Sequence, residues 1–269
     1  MTFRSDLLCL CLAILMSACT IGDIKPPTVG TAEDEDSVGF FDLALTRAET
    51  RATTTVVSQD EADNFLITIY KGSDVVRETT KLKDVNTRLS AGYGYVVQAE
   101  NCSETEAETL NDGWGQRRFH GLSEPFAIKA GQTTSVNVAC TIANAGFSII
   151  FDDTFTSKFT SYSVTITEGS RHLVFDTTNA AFSSQGGEAS NGAVAYFNLG
   201  NDGTRTITYT ITASGEGVAS VNVTREITLS KAVVNRIRLK AAEETGTLTI
   251  TISYDDSFDQ GTTTEIIID

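Results

Sequence analysis

Strict alternation of apolar and hydroxyl residues constrains this chain more than any other feature. In Thr206-Ile207-Thr208-Tyr209-Thr210-Ile211-Thr212, the residues Ile207, Tyr209 and Ile211 fall on one face and the threonines on the other. Leu248, Ile250, Ile252 and Tyr254 alternate in the same way with Thr247, Thr249, Thr251 and Ser253. A period of two places successive side chains on opposite sides of a pleated strand, so each segment has one face for a core and one for water. Phe65 to Tyr70, Gly94 to Ala99 and Thr134 to Cys140 add further strand-like runs, with few helical periods between them. Turn signals at Lys71-Gly72, Ala130-Gly131, Gly186-Gly187, Asn201-Asp202-Gly203 and Ser214-Gly215 separate the runs. Together they predict an all-β fold of antiparallel sheets packed face to face.

A weak internal repeat divides the series. Thr134 to Ile142 is followed by Asn144-Ala145-Gly146 and a strand ending in Asp152-Asp153-Thr154-Phe155. Val233 to Lys240 is followed by Glu244-Thr245-Gly246 and a strand ending in Asp255-Asp256-Ser257-Phe258. Two tandem β-sandwich domains, 61–143 and 144–269, account for the repeat, with one continuous sandwich as the alternative.

The N-terminal segment is of another kind. Arg4, the apolar run Leu7 to Met16 and the small pair Ser17-Ala18 precede Cys19. The run falls short of the roughly 20 apolar residues a membrane helix needs and suits a secretory signal. Met16-Ser17-Ala18-Cys19 resembles the lipobox of bacterial lipoproteins, which implies a signal peptide over 1–18 and lipid attachment at Cys19. Residues 19–60 read as a tether, with Pro26-Pro27, the acidic run Glu33 to Asp36 and a polar stretch from Thr46 to Thr55. Inside it, Val38 to Leu45 is apolar and strand-like.

The formal net charge of -15 repels phosphate backbones and so excludes nucleic acid as a partner. With Cys9 and Cys11 in the signal and Cys19 given to lipid, the folded part retains Cys102 and Cys140. These two form either one disulfide or two unpaired thiols.

Chemistry-bearing motifs are sparse. There are only two histidines, His120 and His172, and no nucleophile elbow, HExxH, P-loop or dinucleotide fingerprint. No catalytic residue, cofactor or metal is therefore expected. Asp152-Asp153 and Asp255-Asp256 lack calcium-loop spacing and read as solvated turns. The candidate ligand loop is Trp114, Arg117, Arg118 and Phe119, which holds the only tryptophan. Trp114 could stack on a sugar, or it could plug the end of a sandwich.

Several short elements carry a resemblance. They are the lipobox, Leu45-Thr46-Arg47-Ala48 with its echo Thr50-Arg51-Ala52, and Ala91-Gly92-Tyr93-Gly94-Tyr95. To these add Ala130-Gly131-Gln132-Thr133-Thr134 leading to Val136, Val138 and Cys140, and the stretch from Phe155 to Ile166. In these the chain resembles the fimbrillin-like cell-adhesion lipoproteins of Bacteroidales, and in particular a domain-of-unknown-function family of Bacteroides surface lipoproteins. The resemblance implies transthyretin-like sandwiches and a non-enzymatic role in adhesion or fimbria-like assembly at the outer membrane and cell surface. It also implies proteolytic processing after Arg47 or Arg51, which would remove an N-terminal strand and open a groove for a neighbour's strand. Partners would be the membrane through the lipid, further copies or other fimbrial subunits, and a host or glycan ligand. The closing segment Glu265 to Asp269 would be either a donor strand or an ordinary last strand. A carbohydrate-binding lipoprotein of a glycan-uptake system is the alternative. The lone Asp23 after Cys19 leaves open which leaflet holds the anchor.

Overall fold

The computed structural model describes residues 37–48, 54–183, 192–244, 247–255 and 265–268. The first half contributes nine strands: β1 (Val38–Ala48), β2 (Thr54–Val56), β3 (Leu66–Lys71), β4 (Asp74–Lys81), β5 (Arg88–Ser90), β6 (Gly92–Glu100), β7 (Phe119–Leu122), β8 (Phe126–Ile128) and β9 (Thr133–Ile142). They form one sheet in the order β2-β1-β9-β7-β6-β3-β4, with β5 on β1 and β8 on β6. Two single-turn helices interrupt the series, α1 (Gln59–Ala62) before β3 and α2 (Glu106–Thr109) between β6 and β7. Alternate residues of β9, from Val136 through Val138 and Cys140 to Ile142, point into a core shared with Ile67, Ile69, Tyr95, Val97 and Ala99.

Within the tether expected over 19–60, residues 38–48 are instead a strand of this sheet. β1 runs parallel to β9 from Phe40↔Thr133 to Ala48↔Thr141. Its other edge pairs with β5 over Val38–Phe40 and with β2 over Thr46–Ala48. Phe41, Leu43 and Leu45 share the inward face, with Phe41 and Leu45 fully in the core and Leu43 packed against it. A three-residue apolar face suffices to seat the strand. The pairing partner lies some ninety positions away, where local pattern does not reach.

The second half forms two sheets. One has the order β13-β10-β17-β18-β19 with β14 on β10, built from β10 (Ala145–Asp152), β13 (Ala181–Ser183), β14 (Ala195–Phe197), β17 (Val234–Glu244), β18 (Thr247–Asp255) and β19 (Glu265–Ile268). The other is β12-β11-β15-β16, from β11 (Ser161–Glu168), β12 (Arg171–Phe175), β15 (Thr204–Gly215) and β16 (Val218–Ser230). Their facing residues form one core that includes Phe147, Ile149, Phe151, Val164, Phe175, Ile207, Tyr209, Ile211 and Ile237. Helix α3 (Asp153–Thr156) supplies Phe155 to it. On the outer face of β15 the threonines pair across to β16, Thr206 to Thr228 and Thr210 to Thr224, each at 3.0 Å. The closing β19 lies antiparallel to β18 at the sheet edge.

The fold is all-β, but its sheets are not purely antiparallel. Besides β1 with β9, strand β10 is parallel to both β13 and β17. Parallel neighbours need a long crossover, and the whole β11 to β16 segment serves as the crossover from β10 to β17. All eight residues of β10 are buried, as expected for a strand covered on both faces.

Candidate functional site

The candidate ligand loop lies between β6 and β7, in a segment that bridges the two halves. Its first turn, α2, opens with a reciprocal cap: Ser103 N–H donates to Glu106 Oε2 at 2.9 Å, and Glu106 N–H donates to Ser103 Oγ at 3.2 Å. These Ser103 bonds, backbone first, hold the Glu106 carboxyl below its ordinary range. Asn111 and Asp112 then adopt φ of 55° and 56°, and the chain turns into the second half.

Trp114 meets the second core there. Its ring stands edge-on to Phe175 at 4.9 Å between centroids, and its carbonyl accepts from Tyr196 N–H at 2.8 Å. Ionic and polar contacts surround it. Arg171 donates from Nε to the Gly113 carbonyl at 2.6 Å and from Nη2 to the Tyr196 carbonyl at 2.8 Å, with its guanidinium 4.3 Å over the Phe197 ring. Burial lowers the pKa of Arg171, but it remains a cation in any accessible range. Glu108 accepts from Asn198 N–H at 2.6 Å and pairs with Arg205, which also reaches Glu168 at 2.9 Å.

Arg118 and Phe119 belong to the other half. Arg118 forks onto Glu100 Oε2 at 2.7 and 3.1 Å, in a pair whose side chains are 15% and 10% exposed. Its N–H donates to Asn144 Oδ1, and Asn144 Nδ2 donates to the Gln116 carbonyl at 2.7 Å, so the connection between the halves is tied to the same segment. Phe119 is buried in the first core, beneath the Arg47 guanidinium. The four residues expected in one ligand loop do not line a single cleft: Trp114 and Arg117 share one, Arg117 and Phe119 another, and Arg118 lines neither. Trp114 is drawn into the second core and Phe119 into the first because each ring has an apolar cluster within reach. Arg117 stays at the junction, where it lines two adjoining clefts of about 480 and 430 Å³ together with Gln116 and Tyr196. Beyond α2, a third cleft of about 510 Å³ is lined by Glu108, Glu168, Arg171, His172 and Arg205. No local sequence signal marks this Arg171, Arg205, Glu108 clasp, whose members are charged residues far apart in the chain.

The other singled-out residues have structural surroundings. Cys102 and Cys140 are separate buried thiols and form no disulfide. Cys140 Sγ points at the Ala99 carbonyl at 3.7 Å, and burial pushes it up to about 12. Burial also raises Cys102, against the opposing hydrogen bond with Gln116. Burial first, and then Arg118, lower the pKa of His120, whereas His172 is exposed and bonded to Thr167 at 3.1 Å. Asp152, expected in a solvated turn, is buried instead. It caps α3 by accepting from Thr154 N–H at 3.2 Å and pairs with Arg238 at 3.3 Å. Burial opposes its ionisation, but these bonds prevail and hold the carboxyl below its ordinary range. Among the described residues no three His, Cys, Asp or Glu side chains are grouped to hold a metal ion. Arg47 lies within β1, while Cys19, Arg51 and Asp256 lie outside the described residues.

No curated protein matches the chain. Among solved structures, it is similar to a fimbrial assembly protein from Parabacteroides distasonis, at 12% identity and a TM-score of 0.43 over 83% of this chain and 97% of that one. It is also similar to a Bacteroides ovatus protein proposed to act in cell adhesion, at 11% identity and a TM-score of 0.40 over 83% and 99%. Residues 37–269 match the family described as a domain of unknown function, DUF4493, and the chain belongs to that family.

Proposed function

We propose that this is a lipid-anchored, non-enzymatic protein of the cell surface that acts in adhesion or fimbria-like assembly, with β1 as a removable strand. The seating of β1 carries the reading. The strand is paired along both edges, yet only the connection to β2 and the chain before Val38 hold it covalently. Burying Phe41 and Leu45 stabilises the seat by about 1.5–3 kcal/mol for each side chain. Without β1, the facing edge of β9 and the core beneath it would be open, and a strand of the same period from another chain could fill the place.

The processing cut belongs after Arg51 and not after Arg47. The backbone at Arg47 is aligned with Thr55 on one side and Cys140 on the other, and its guanidinium is engaged by Glu61 and Phe119. Arg51 sits in the connection between β1 and β2. A cut there would sever the Cys19 anchor together with β1. Digestion of the lipidated full chain by an arginine-specific protease is expected to cleave after Arg51 and to yield a ladder of oligomers. Arg51→Gln is expected to abolish both. A cleaved chain that stays monomeric after β1 has been displaced would sink the reading.

Glycan binding, the second reading, is favoured by the junction cleft where Trp114, Arg117 and Tyr196 meet. Tyr196→Ala is its test on a glycan array, because Trp114→Ala would also remove a core contact.

A further inference from the structure

The end of the first half where β1 begins gathers exposed apolar side chains. The Ala91 N–H donates to the Ser37 carbonyl at 2.7 Å, the Gly131 N–H to Val38 at 2.8 Å, and the Gly72 N–H to Gly94 at 3.2 Å. These bonds gather three turns and the start of β1 into one rim. Of the six large hydrophobic side chains exposed within the described residues up to 242, three are here: Tyr93 at 76%, Val75 at 46% and Phe40 at 43%. Exposed Lys71 and Lys129 flank them, with Asp42 and Asp74 exposed nearby and the run Glu33 to Asp36 just ahead of Ser37 in the sequence.

Tyr93 is exposed by construction. In a regular strand Tyr93 and Tyr95, two positions apart, would share the core face. A register irregularity between Gly92 and Tyr95, with Gly94 at φ 77°, breaks that alternation. Tyr95 stays 2% exposed while Tyr93 turns outward. Bulges are over-represented at sheet edges, barrel rims and beside active sites, where they re-aim a side chain or end the pairing.

The position of the rim says what it meets. From Cys19 to Ser37 the chain advances 18 residues, which can reach at most roughly 60 Å. β1 and β9 run in parallel away from the rim toward the junction and are about 35 Å long. The chain thus enters the fold at the rim, which along the chain is nearer Cys19 than the junction is by the length of β1. Tyrosine is favoured at membrane interfaces, where its ring meets acyl chain and its hydroxyl meets headgroups, and flanking lysines suit phosphate.

We propose that this rim is a membrane seat: in the anchored chain, before any cut after Arg51, Tyr93 inserts at the headgroup level and stands the protein end-on upon the bilayer. The proposal rests on lipid attachment at Cys19. Its test uses the lipidated full chain carrying Tyr93→Trp in phosphatidylcholine vesicles with brominated acyl chains, which quench an indole only at close range. Partial loss of emission, confined to the share that the new indole adds to that of Trp114, is expected for Tyr93→Trp. It is not expected for Thr208→Trp on the outer face of β15, nor for the unsubstituted chain, in which Trp114 reports alone. Unquenched emission from Tyr93→Trp in protein that floats with the vesicles would overturn the seat and leave the anchor standing. Protein that does not float would overturn the anchor, and the seat with it. An indole already blue-shifted in buffer would show residues 20–36 covering the rim, and this too would overturn the proposal.

Discussion

The Arg47 guanidinium lies over the ring of Phe119, 5.4 Å from its centroid, and so joins the end of β1 to β7 beside the junction of the two halves. Phe119 follows Arg118, whose side chain holds Glu100 and whose backbone holds Asn144. The strand proposed to leave thus touches the place where the two halves are tied. Seating of β1 and stiffness of the junction are expected to change together.

The seat itself can be weakened at two positions. Phe41→Ala removes a buried ring that touches Phe126 at 6.3 Å between centroids, and is expected to cost about 3–5 kcal/mol. Gly39→Ala would place a Cβ 2.2 Å from the Lys129 carbonyl, so β1 could not approach the β8–β9 turn. Both variants should lower the urea midpoint of the first half and speed cleavage after Arg51. A Gly39→Ala protein as stable as the unsubstituted one would show that β1 is not held there.

Arg118 is half of a buried pair with Glu100. Removing it leaves Glu100, 8% exposed, without its counter-charge. Arg118→Ala is expected to destabilise by about 3–5 kcal/mol in chemical denaturation. Replacing both partners with apolar residues of similar size should cost far less, which a double-mutant cycle would reveal.

How much of this could be read from residues alone follows from which interactions are local. Ile207, Tyr209 and Ile211 declare themselves because β15 has one wet face, and period two is visible wherever a sheet is half-solvated. The apolar face of β1 is equally visible at Phe41, Leu43 and Leu45. Its place is not, because a parallel neighbour leaves no turn signal to identify it. Trp114 offers two readings from the pattern alone, and its edge-on contact with Phe175 is visible only in the fold. Arg171, Arg205 and Glu108 look like ordinary surface charges until the fold brings them together.

The two thiols make a chemical prediction. Cys140 is fully buried with its pKa pushed up to about 12, and Cys102 is 3% exposed. Thiolate is the reactive form, so neither should alkylate in the native protein. Peptide mapping should show both carrying iodoacetamide after denaturation without reductant. A requirement for reductant would mean that a disulfide forms in the protein as produced.

Acid should act through His120 before it reaches the carboxylates. Burial and Arg118 depress the folded pKa of His120, so its contribution is present above the unfolded value of about 6.5. It is lost as pH falls through the depressed folded value. Asp152 behaves likewise at lower pH: its stabilisation is complete above about 3.9 and is lost as pH falls through its lowered folded value. Urea midpoints measured from neutral pH down to about pH 5 should decline, and His120→Gln should flatten that decline while leaving the later acid transition.

The clasp yields a prediction with its own reporter. Trp114, the only tryptophan, packs against the second core from a segment of the first half, so its emission reads their docking. Glu108 joins Arg205 and the Asn198 backbone across that docking surface. Glu108→Ala leaves Arg205 paired with Glu168 alone and frees the Asn198 N–H. Glu108 itself belongs to neither core, and its link to the second is indirect, through Arg205 over the Phe197 ring at 5.6 Å. Trp114 emission should therefore shift to the red at a lower urea concentration than the loss of the β-sheet circular dichroism signal. In the unsubstituted protein the two curves should coincide. Coincident curves in Glu108→Ala would mean that apolar packing of Trp114 on Phe175 holds the halves together without the charges.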